Sequence, residues 1–105
     1  MNTRSSDSLS TEVLIAGDFG TIRQVCREFA AKFHICLCPS PIEFVYDYGC
    51  EHGASVRLLN SPRNLKTEKE MLSLGDVLAN KLMDQCVQKS AIVLNSGRTI
   101  LIERS

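Results

Sequence analysis

No excess of charge of either sign marks this chain. Twelve Lys and Arg balance twelve Asp and Glu, so no strong field draws it to nucleic acid or to an anionic membrane. No apolar run approaches the roughly 20 residues a spanning helix needs, and the first ten residues lack the hydrophobic stretch of a secretory signal. A cytoplasmic protein is expected. No complete internal disulfide framework suits five cysteines, Cys26, Cys36, Cys38, Cys50 and Cys86, so the thiols are expected to be reduced. Neither Gly-x-Gly-x-x-Gly nor Gly-Lys-Ser/Thr occurs. Gly17-Asp18-Phe19-Gly20 therefore reads as a structural turn with an acidic cap rather than a phosphate loop. No recognisable RNA-binding signature or family motif is present.

At 105 residues the chain suits a single domain. Residues 1–10 lack apolar periodicity and are expected to form a flexible tail, leaving 11–105 as the domain. Thr11–Ala16 is short and β-branched, as a strand should be. Ile22, Val25, Cys26, Phe29, Ala30 and Phe33 then make the clearest helical stripe in the chain. Its start is signalled by Thr21 with Gln24, or one turn earlier by Asp18.

Residues 34–38 predict a second strand, interrupted by Pro39 and Pro41 and resumed over 42–48. Residues 54–59 supply its partner. A second helix falls within 67–88, beginning at Thr67 with Glu70 or at Ser73 with Asp76, and Gly75 in its interior favours the later start or a close packing contact. A hairpin joins 91–94 to 98–103 through Asn95-Ser96-Gly97. Each helix must cover one sheet face. The expected fold is a two-layer α+β sandwich, β-α-β-β-α-β in a ferredoxin-like layout, with an extra C-terminal strand.

The main cluster with ligand chemistry is His34, Cys36 and Cys38, which share one side of a strand, with Cys50 and His52 further on. His34 and Cys38 lie about 13 Å apart on a straight strand. A zinc site would therefore need Cys36, Cys38, Cys50 and His52 to converge. The expectation is instead no cofactor, with Cys36 and Cys38 as reduced, at least partly buried structural residues whose replacement by serine costs about 1–3 kcal/mol. A catalytic Cys50 would require His52 beside it and a third orienting group.

Phe44, Tyr46 and Tyr48 alternate along one strand, with Arg57 on the next and Arg63 after it. Exposed, they could stack on single-stranded nucleic acid, but the interspersed Glu43, Asp47 and Glu51 argue against that. Two helices cover one face of a sheet that carries apolar groups on both. The expected function is accordingly a non-catalytic protein-binding or regulatory domain. Its surface would be Phe44, Tyr46, Tyr48, Arg57, Arg63, Ile100 and Ile102, and its partner another protein or a second copy in a homodimer. A single-stranded nucleic-acid module and a metal- or thiol-dependent enzyme are the alternatives.

Overall fold

The computed structural model describes residue 3 and residues 10–61 and 65–104. The elements run β1 (Thr11–Ala16), α1 (Phe19–Phe33), β2 (Cys36–Tyr46), β3 (Gly49–Leu59), α2 (Glu68–Cys86), β4 (Ser90–Asn95) and β5 (Arg98–Glu103). They form one antiparallel five-stranded sheet in the order β2-β3-β1-β4-β5. Both helices lie on one face, so this is the two-layer, ferredoxin-like layout with an added edge strand. The expected 1–10 tail falls largely outside the described residues, as does Arg63.

Local chemistry explains where the helices begin. The Asp18 carboxylate accepts from the Thr21 backbone N–H at 2.9 Å, so α1 takes the earlier of its two possible starts. Thr67 and Glu70 form a reciprocal capping box, so α2 also starts early and Gly75 lies inside it. That glycine has a packing reason. A Cβ there would meet Thr11 Cγ2 at 2.9 Å and Val93 Cγ1 at 3.4 Å, so its absence lets α2 settle on β1 and β4.

Alternation along β1 buries Thr11, Val13 and Ile15 under the helices, together with Val56, Leu58 and Val93 from its neighbours. Ile22, Val25, Phe29, Leu78, Leu82 and Met83 cover them. Buried Asn95 is satisfied by donating to Thr11 Oγ1 at 2.7 Å.

β2 is continuous from Cys36 through both prolines. It is an edge strand, where a residue without an N–H can leave its ladder position facing solvent. β2 and β3 pair over eleven positions, whereas β1 accompanies β3 only from Gly53 to Leu58. The far end of the hairpin therefore projects beyond the sheet as a two-stranded ribbon carrying Val45, Tyr46 and fully exposed Tyr48. Gly53 marks the junction, because a Cβ there would lie 2.2 Å from the Ile15 carbonyl oxygen. At the other edge, Ser96 and Gly97 both take positive φ, as a tight two-residue hairpin turn requires. Among the described residues, no helix is long and apolar enough to cross a membrane.

Candidate functional site on the open sheet face

Strand register fixes what lies on the face away from the helices, because paired residues project to the same side. One row across the sheet reads Cys38, Arg57, Glu12, Leu94 and Thr99. The next reads Ser40, Ser55, Leu14, Ile92 and Leu101. A third holds Ile42, Gly53 and Ala16, and beyond it Phe44 pairs with Glu51 on the ribbon. The face is therefore polar at one end of its centre and apolar toward the ribbon.

The polar end is a recess of about 200 Å³ lined by Glu12, Cys38, Ser40, Ser55 and Arg57. Ser55 Oγ donates to Glu12 Oε2 at 2.7 Å, fixing a carboxylate in the middle of the sheet. Arg57 stands opposite Glu12 in the register, but the two are not ion-paired; the ion pair among the described residues joins Arg104 to Asp84. A carboxylate and a guanidinium thus share one recess, each with capacity for a ligand of opposite charge.

The apolar end is a recess of about 220 Å³. Leu14, Ala16, Ile92 and Leu101 line it from the sheet, and Phe44 and Tyr46 reach it from the ribbon. Glu51, Gln88 and Ser90 add polar groups. Tyr46 donates to Glu51 Oε1 at 3.4 Å. Burial first, then the charge and hydrogen bond of Glu51, push the Tyr46 phenol above its ordinary range, keeping it a donor. From Glu12 to Ala16 the two recesses span about 13 Å along β1.

The expected site residues divide between locations. Phe44, Tyr46 and Arg57 share the open face, while Tyr48 stands at the ribbon tip. Ile100 and Ile102 do not belong to that surface. They pair with Val93 and Ala91 and pack against the core, leaving Leu101 as the open-face residue of β5.

The four-residue zinc arrangement also does not form. Cys50 lies seven positions along β3 from the partner of Cys38, about 23 Å away, and His52 projects to the opposite face. Among the described residues, no group of three or more His, Cys, Asp or Glu is placed to hold a metal. The expectation of at least partial burial holds for Cys38, which is half-buried, and is corrected for Cys36, which is exposed, because Ile35 and Leu37 take the core side. Glu12 and Ser55 were not singled out by the sequence reading. The available signal was a lone charge alternating with the inward-facing residues of β1.

No family model matches the chain, and no curated protein does. Solved structures do match over its full length. A phage SAM lyase in the apo state superposes with a TM-score of 0.70 at 10% identity, covering 100% of this chain and 96% of that one. A phage SAM lyase in complex with S-methyl-5'-thioadenosine gives 0.63 at 13% identity, covering 98% and 95%. At such identities the likeness is one of fold. That fold is an enzyme's in both structures, and this counts against the expected non-catalytic binding or regulatory role; the Cys/His cluster expected for an enzyme does not converge.

Proposed function

We propose that this chain is a lyase acting on S-adenosylmethionine at the open sheet face. The observation that carries the reading is the pairing of two recesses on one uncovered face. One holds a fixed carboxylate beside a guanidinium, and the other an aromatic wall over an apolar floor. The likeness to a phage SAM lyase supports it.

The substrate has matching chemistry at each end. Its amino-acid arm ends in an ammonium and a carboxylate, suited to Glu12 and Arg57 respectively. Its adenine can stack on Phe44 or Tyr46, with Glu51, Gln88 and Ser90 able to hydrogen-bond its heteroatoms or the ribose. The sulfonium then falls over the row of Leu14, Ile92 and Leu101.

Cleavage of the bond from sulfur to the γ-carbon leaves both electrons on sulfur and yields neutral S-methyl-5'-thioadenosine. A lyase adds no water; the step balances when the arm's own carboxylate closes on the γ-carbon to give a lactone, a path that, unlike elimination of a β-proton, needs no base. The positive sulfonium and negative carboxylate disappear together. Apolar surroundings favour such charge cancellation over the separated charges. Glu12 holds the ammonium, Ser55 fixes Glu12, and Arg57 steers the carboxylate into the recess.

Incubation of the purified chain with S-adenosylmethionine, followed by chromatography, tests this reading. Release of S-methyl-5'-thioadenosine above the uncatalysed rate is expected. Absence of both product and binding would overturn it. The five cysteines without disulfides suit a reducing compartment, which supports a cytoplasmic setting for the reaction.

A further inference from the structure

Cys38 lines the polar recess, but no step of that chemistry uses its thiol or that of Cys36, and the two form an arrangement of their own on the edge strand. We propose that they are a bidentate dithiol site for a soft monovalent d10 ion such as Cu(I), formed by two side chains projecting to one side of β2 beside Arg57.

The register puts Cys38 directly opposite Arg57 and Cys36 one step further along the same face. Cys36 is exposed and Cys38 half-buried, so an ion can reach both from solvent. Burial, followed by the charge of Cys38 and a hydrogen bond with it, raises Cys36 above the ordinary thiol range, while Arg57 acts in the opposite direction. Two residues apart on one side of β2, the side chains are spaced so that both sulfurs can turn toward a common point.

Three chemical outcomes compete for such a pair, and the geometry separates them. A disulfide needs β-carbons about 3.5–4.5 Å apart, whereas same-side residues on a strand are spaced about 6.6 Å. Zinc needs four ligands, and no third Cys, His, Asp or Glu joins the pair among the described residues. A two-coordinate soft ion needs two thiolates. On binding, the two thiols release two protons, and the ion contributes one positive charge. The bis-thiolate complex therefore carries one net negative charge, and Arg57 is placed to balance it. No change of oxidation state occurs.

Cu(I) titrated anaerobically into the reduced full-length chain, in competition with bicinchoninate, tests the site without reference to lyase activity. One ion per chain is expected to be withdrawn from the indicator by the wild type. C50S, which removes the other exposed cysteine, should do the same. C36S and C38S should each lose this competition. Cys36 is exposed and Cys38 half-buried, so circular dichroism checks that each variant is folded. Retention of wild-type binding by either folded variant, or loss of binding in C50S, would overturn the proposal. Failure of the chain to cleave S-adenosylmethionine would count against the active-site reading and leave this result intact.

Discussion

Along β1, Thr11, Val13 and Ile15 are sealed beneath the helices, while Glu12, Leu14 and Ala16, each one residue away, remain half-buried on the other side. The same strand thus builds both a core and a candidate site. At the centre of the covered face Val13, Ile15, Val56, Leu58 and Val93 are sealed in one core with the helices, and buried Asn95 and Thr11 satisfy each other. On the open face a carboxylate and a guanidinium stand together without an ion pair, beside aromatic groups that no helix covers. Substitutions on the first face should register in stability and those on the second in ligand chemistry.

The largest effect is expected on the covered side. Leu78 is completely buried against the sheet, and Leu78→Ala should cost about 2–5 kcal/mol, measured by urea denaturation. Next comes the open side. Glu12→Gln keeps the shape but removes the charge, and should lower kcat/KM for S-adenosylmethionine by about 100-fold, or ~2.7 kcal/mol, with an unchanged melting temperature. A melting temperature that fell with activity would make Glu12 a structural residue and collapse the distinction between the faces.

The covered face was the more legible of the two in the sequence, for a physical reason. Burial under a helix imposes periodicity on contiguous residues, so Ile22, Val25 and Phe29 announce α1, and Val13 with Ile15 announce the core side of β1. The open-face site is assembled by register across strands. Glu12 meets Ser55 only because β1 lies antiparallel to β3, a relation separated by 43 positions in the chain. The proline interruption expected in β2 failed because edge position, which excuses a missing N–H, is a property of the sheet. The expected partial burial failed at Cys36, though not at half-buried Cys38, because Ile35 and Leu37 claim the helix side of that strand.

Two smaller effects sharpen the comparison at its margins. Val87 closes α2 in the left-handed region at φ 54°, a conformation unfavourable for a β-branched residue, and it is exposed. Val87→Gly should therefore stabilise the chain by about 1 kcal/mol in thermal or urea unfolding, since no packing is lost. Cys36→Ser should change stability by less than about 0.5 kcal/mol, as a surface substitution does. A loss of 1–3 kcal/mol would mean that the open face at β2 is covered in solution.

The most direct test of the central claim follows backbone amide shifts of the labelled chain during titration with S-methyl-5'-thioadenosine. The helix side offers a competing recess of about 290 Å³ between α1 and α2, lined by Val25, Phe29, Phe33 and Val77 among others. Binding at the open face predicts that Leu14, Phe44, Tyr46 and Ile92 shift together in a saturable manner while Val25, Phe29 and Val77 stay in place. Saturable shifts at Val25, Phe29 and Val77, with Leu14 and Ile92 unmoved, would contradict the account.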